Sequence, residues 1–432
     1  MNSEVDVASN HLASAADEEL QMTSEGDVSN HAPSAVDGKL HENSEADIVS
    51  NHAASAPDGG WGWVVLAGSF VSFFIADGWS YSFGVLFPSI VEYFSESRGT
   101  TALVGTLLYA IPMIISPLAC ALVTTYGCRP VAVGGGILTG VSLAVACLAR
   151  SISDLCIIVG ILSAIGLALV YISSLFIVTI YFDRRRGLAT GLAVTGSGVG
   201  ALVFPPLIEW LNETYAWRGC LLITGGICLH IVAAGMLYRP LSIPGPIKNA
   251  SNAVRNVSCI RQLTAECRHV LVSLCSRKVL TSGPFVIFCF ANFILFLWVS
   301  IPYVYIVDLA LSIGGMTETT AALLLSLAGG GRIIGQIVFG IIGDIKEVSS
   351  IGLFGFGVTV AGLGTMLVPI IATIFSALAV YMSIFGVAVS VSYVLPVICL
   401  VKMVGFDRSV KAFGILQMTQ GVATLLGTPI AG

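Results

Sequence analysis

Charge is what this chain has least of. Asp, Glu, Lys and Arg together make up 10% of its 432 residues, while 56% are hydrophobic. A soluble domain carries about 25% charged residues, so the composition excludes a single soluble core and predicts a polytopic membrane protein. Eleven cysteines are present, but no CxxC or CxxH pair occurs among them. That excludes a zinc or dithiol motif and leaves thiols that fill packing space, mostly inside apolar runs, with Cys259, Cys267 and Cys275 in a basic stretch between them where palmitoylation is the alternative. No ATP-binding loop and no catalytic constellation accompany the apolar runs, so neither an enzyme nor a primary pump is expected, and no cofactor or metal. A basic tract with interleaved aromatics is also missing, which argues against a nucleic-acid partner. So is a basic start followed by a short apolar core, the mark of a cleaved leader, and the first apolar run is expected to act as its own insertion signal.

The charge that is present is unevenly spread. Through Asp58 the chain holds 12 of its 25 acidic residues and one of its 20 basic ones, Lys39. This tail repeats itself from Ser3, Ser24 and Ser44, is nearly free of aromatics, and is expected to be disordered. Each repeat carries a histidine at a matching place (His11, His31, His52), which duplication of a solvated segment explains as well as a sensor would. Beyond it lie six apolar segments between 61 and 238 and five between 283 and 432, each near the ~20 residues a helix needs to cross hydrocarbon. With the tail assigned to the cytoplasm, inner segments receive 16 of the 20 basic residues and outer segments 3, the remaining one being Arg332 within a helix. The positive-inside rule therefore predicts a cytoplasmic N-terminus and a cytoplasmic stretch between the sixth and seventh segments.

Two strings stand out at the ends of apolar runs. Asp58-Gly59-Gly60-Trp61-Gly62-Trp63 opens the first. Its indoles suit the headgroup layer and its glycines allow a turn and close packing at entry. Tyr181-Phe182-Asp183-Arg184-Arg185-Arg186-Gly187-Leu188-Ala189-Thr190-Gly191 joins the fourth and fifth. Three arginines fix an inner boundary, and Gly187, Gly191, Gly196 and Gly200 allow neighbouring helices to approach closely.

These two strings resemble the signatures of the monocarboxylate transporter family of the major facilitator superfamily. Further similar pieces are Gly127 to Val131, Trp217-Arg218-Gly219, Arg239-Pro240-Leu241 and Gly340 to Lys346. The resemblance runs from Pro57 to Gly432 and implies an all-α fold of six plus six helices, of which about eleven are present and the twelfth is missing. It divides the chain into a tail (1–57), a six-helix half (58–240), a central loop (241–281) and a second half (282–432). By that resemblance the chain is expected to move a carboxylate or zwitterionic solute by alternating access, as a symporter with protons or as a facilitative carrier. The plasma membrane is the implied location, and a single-span accessory glycoprotein serves some members. The alternative from another class is a receptor-like or regulatory protein of the same fold that transports nothing.

Ionisable residues at membrane depth are read as functional because burying an unpaired charge costs at least ~2.5–3.5 kcal/mol. Asp77 and Arg332 each fall roughly 15–18 Å from the outer surface by helical rise. They are expected to pair or to share a substrate site, the rival readings being a structural ion pair or an Asp77 in a wet vestibule. Family lactate carriers have an Asp and, four residues on, an Arg in helix eight, and a Lys in helix one. The corresponding positions here are Arg332, Gln336 and Tyr81. These departures point away from proton-coupled lactate transport. Tyr81, Trp298, Tyr303, Phe385 and Tyr393 are candidates for lining a central pocket, with core packing as the rival; His230 is expected to be a satisfied buried imidazole.

Overall fold

A segment that is apolar on every side can satisfy its amides in hydrocarbon only by closing helical hydrogen bonds on itself. The computed structural model describes residues 57–241, 283–299, 301, 302, 306, 309, 310, 318–345 and 347–431. Among them the helices are α1 (Trp61–Phe94), α2 (Arg98–Tyr126), α3 (Cys128–Ala146), α4 (Ile152–Tyr181), the run Arg186–Met236, α7 (Gly283–Trp298), α8 (Glu318–Gly343), α9 (Ser350–Ile371), α10 (Phe375–Val404) and α11 (Phe406–Ala431). The run Arg186–Met236 has 51 residues. At ~1.5 Å per residue that is more than twice a ~30 Å hydrocarbon layer. It breaks at Ala216, where φ is 56°, and the two parts are α5 (186–215) and α6 (217–236). No strand occurs among the described residues, so the all-α expectation holds. The tail through residue 56, most of the central loop (242–281), Tyr303 and Lys346 lie outside them.

The joints follow ordinary helix chemistry. Ser97 accepts the Thr100 N–H at 3.1 Å to start α2, and Ser151 and Asp154 form a reciprocal capping box at the start of α4. Gly127 (φ 86°) and Gly405 (φ 80°) make the sharp turns before α3 and α11, a conformation that a Cβ disfavours. Pro112, Pro117, Pro205, Pro206 and Pro396 all lie inside helices, where each removes a hydrogen-bond donor.

Small residues set the packing. On α5, Gly196 and Gly200 press against the backbone of α1 at Phe70, Phe74 and Gly78, while Gly187 and Gly191 press against α8 at Gly340 and Gln336. The glycine spacing thus serves two different neighbours. Gly414 and Gly421 of α11 meet Pro117, Met113 and Ile114 of α2, and Phe176 of α4 stacks edge-on against Phe413 of α11 at 5.6 Å. One core cluster draws only on residues from Ile75 to Ile231 and another only on residues from Ile306 to Val389. A third unites α1 and α4 with α10 and α11. Large apolar side chains such as Ile287, Met366 and Ile370 stay exposed, as a lipid-facing surface requires.

One expectation fails here. His230 is exposed on α6 rather than buried, with Nδ1 at 3.2 Å from the carbonyls of Gly226 and Ile227. A helix apolar on all sides gives no periodic signal for which face turns inward.

Candidate functional site

The site is built around Arg332, which α8 carries in its middle and which is only 7% exposed. Its Nη1 donates to the Tyr81 hydroxyl of α1 at 3.1 Å, and Nη2 donates to the Ser197 hydroxyl of α5 at 3.0 Å. The guanidinium lies 4.0 Å from the ring centroid of Tyr393 on α10 and 5.2 Å from that of Tyr81. Contact with a ring face at such range is worth ~0.5–2 kcal/mol, more as water is excluded. Tyr81 in turn packs on Tyr109 of α2 at 5.5 Å, and Tyr393 meets Phe296 of α7 at 6.5 Å.

Asp77 belongs to the same group. It is half-buried on α1, within hydrogen-bonding reach of Ser197 and within the field of the Arg332 guanidinium. Ser197 therefore links the two intramembrane charges. Four of the sequence candidates (Asp77, Tyr81, Arg332, Tyr393) come together in this way. Gln336 lies one turn along α8, fully buried. Phe385 is 3% exposed in the cluster of Ile306 to Val389, against which Tyr393 also packs, and is tilted on Tyr381 at 5.7 Å. Ser197 was missed because a lone serine in an apolar helix has no distinguishing pattern.

The two motif strings touch each other at one end of the bundle. The Asp58 carboxylate accepts the backbone N–H groups of Asp183 (3.0 Å), Arg184 (3.0 Å) and Arg185 (3.4 Å). The Asp58 N–H donates to the Tyr181 carbonyl at 3.1 Å. An anionic acceptor suits these orphan donors because they lead into the positive end of α5. Around this clasp, Trp63 meets Phe182 edge-on at 5.3 Å, and Gly62 leaves room for Phe182. Trp61 donates from Nε1 to the Leu237 carbonyl at 3.1 Å while Arg239 lies 3.8 Å over its ring. The Tyr181 hydroxyl donates to the Arg239 carbonyl at 2.9 Å. Arg186 turns back to Asp183 at 2.7 Å.

Asp58→Ala strips three donors of their acceptor, so purified protein is expected to lose about 2 kcal/mol of stability. Asp58→Asn, which keeps one oxygen, is expected to lose less. Thermal unfolding in detergent measures both, and equal melting points for the two variants and the parent would refute the clasp.

A second carboxylate reaches the same helix start from α8. Asp344 accepts the Gly187 N–H at 2.6 Å and the Leu188 N–H at 2.8 Å. Burial pushes its carboxyl up from the ordinary value, against the lowering effect of those N–H groups, Arg186 and Lys402. Between Asp344 and Arg332 the seam of α5 and α8 is closed backbone to backbone: a Cβ on Gly187 would lie 2.5 Å from the Gly340 carbonyl oxygen, and one on Gly191 would lie 2.5 Å from that of Gln336. An interior charge thus takes its partners from three other helices, above a seam of glycines.

Comparison with known proteins agrees. Residues 68–428 match the family model described as Major Facilitator Superfamily. Monocarboxylate transporter 13 of Bos taurus is 32% identical over 382 residues, covering 88% of this chain and 84% of the relative. Monocarboxylate transporter 4 of Gallus gallus is 32% identical over 383 residues, with 87% and 77% covered. Monocarboxylate transporter 11 of Homo sapiens is 32% identical over 390 residues, with 88% and 78% covered. The bundle is that of a major facilitator transporter, an integral membrane protein. Within that superfamily the chain belongs to the monocarboxylate transporter family.

Proposed function

We propose that the protein carries a small carboxylate or zwitterionic solute across the plasma membrane by alternating access, and that Arg332 holds the carboxylate. What supports this is a buried guanidinium whose partners come from α1, α5 and α10, so that it can be presented to solute from either side as the helices rock. A planar fork of donors suits a carboxylate. In this reading residues 58–240 and 282–432 are the rocking halves, and the Asp58 end faces the cytoplasm, as the basic residues favour. Tyr81 and Gln336 replace the basic groups of the lactate carriers, which favours a solute other than lactate and a cycle without the same proton relay.

Uptake of lactate, pyruvate, creatine, carnitine and aromatic amino acids into cells expressing the full chain, at two proton gradients, tests the reading. One solute is expected to accumulate with little dependence on the gradient. No uptake of any carboxylate by protein present at the cell surface would favour the receptor-like alternative. The Tyr393 ring supplies a narrower check: Tyr393→Leu is expected to raise the half-saturating concentration about fivefold, and Tyr393→Phe to leave it near the parent value, because only the ring face is needed.

A further inference from the structure

Gln336 follows Arg332 by one turn of α8. Its exposure is 0%, and neither Nε2 nor Oε1 has a hydrogen-bond partner among the described residues. Zero accessible surface also means that no water-sized space adjoins the amide, so ordered water cannot satisfy it in this conformation. An amide offers two donors and an acceptor with two lone pairs. Left unmade in a buried place, such bonds raise the free energy of the state that buries them.

What buries this amide is the seam. The Gln336 backbone carbonyl faces Gly191 of α5, its Oε1 lies 3.7 Å from where a Cβ on Gly198 would stand, and Ile333 closes on Gly198 from the same side. α5 is thus one wall of the enclosure, and it stands only while α5 and α8 are together. Parting them would take that wall away from the amide, whereas the neighbouring Arg332 has a partner, Ser197, across the closed seam. The two side chains therefore act in opposite directions on one crossing.

We infer that Gln336 sets the balance of the transport cycle, raising the free energy of the closed seam so that it reopens. An apolar side chain of similar length would deepen the closed state. The inference rests on the proposed transport activity for its flux measurement only; its stability measurement needs no solute.

Gln336→Met and Gln336→Leu in the full chain make the test. Replacing an unsatisfied buried amide by an apolar group of like shape is neutral to stabilising in general, and here at least one variant is expected to melt several degrees above the parent in detergent. The flux arm compares half-saturating solute concentrations in right-side-out and inside-out vesicles. A carrier that spends less time open on one side shows weaker apparent affinity there, by the inverse of the open fraction. The expected result is about a tenfold rise on the seam side and no rise on the opposite side. Melting at or below the parent value in both variants overturns the inference. So does an equal rise on both sides, which would make Gln336 a direct solute contact instead. Absence of flux with every solute in the parent protein would sink the transport proposal and leave the melting result to decide this one.

Discussion

Replacing Arg332 by lysine is expected to lower solute uptake about a hundredfold while the protein still reaches the membrane in normal amount. Lysine keeps the positive charge, so Asp77 remains compensated and the cost of a lone buried carboxylate is avoided. What it loses is the fork. One ammonium cannot reach the Tyr81 and Ser197 hydroxyls with two fixed donors, nor lie flat against the Tyr393 ring at 4.0 Å. A lost bidentate contact to the solute and a lost ring contact together amount to about 2.7 kcal/mol, which is two powers of ten. Arg332→Ala differs in kind: it leaves Asp77 without its nearby cation and is expected to reduce the amount of folded protein as well. Initial uptake rates normalised to surface-labelled protein separate the two. A lysine variant that keeps half the parent rate would show that charge alone suffices and that the guanidinium geometry is incidental.

The same residues show how far a sequence can be read. Asp58 to Trp63 and Tyr181 to Gly191 were visible as strings, each at a membrane boundary. That the first caps the second was not, because the Asp58 carboxylate reaches N–H groups 125 to 127 residues away. Asp344 was visible within a loop motif, yet which helix end it would cap depends on how α5 and α8 cross. Asp77 and Arg332 announced themselves because charge is rare at that depth and costly to bury. Ser197, which links them, carries no such cost and gave no signal. The order of the helices was legible from apolar length alone, their ends much less so: α1 runs on to Phe94 and α11 starts as early as Phe406. Helix faces were not: in segments apolar all round, period 3.6 has nothing to contrast, so His230 was assigned to the wrong side.

The glycine seam yields the other large effect. Gly191→Val is expected to reduce uptake to about 1% of the parent rate or less, because close crossings of this kind tolerate no added volume. A Cβ at this position would stand 2.5 Å from the Gln336 carbonyl oxygen and 3.3 Å from the Gly340 Cα. Both are backbone atoms of α8, so no rotamer change relieves the clash and the helices must stay apart. A carrier held open at the Asp58 end can still bind solute from that side but cannot complete a cycle, since alternating access needs each side to close in turn. Binding without turnover is thus the diagnostic result, read as solute-dependent thermal protection in a variant that shows no flux. Asp344→Ala should move the protein in the same direction by less, since it removes an acceptor for the Gly187 and Leu188 N–H groups without adding bulk. Gly226→Val is the control, an exposed position on α6 where an added Cβ meets nothing within 4 Å. If Gly226→Val and Gly191→Val impair uptake equally, loss of helix flexibility explains both and the seam does not. If only Gly191→Val fails while still binding solute, the crossing of α5 and α8 is the gate that closes the Asp58 end.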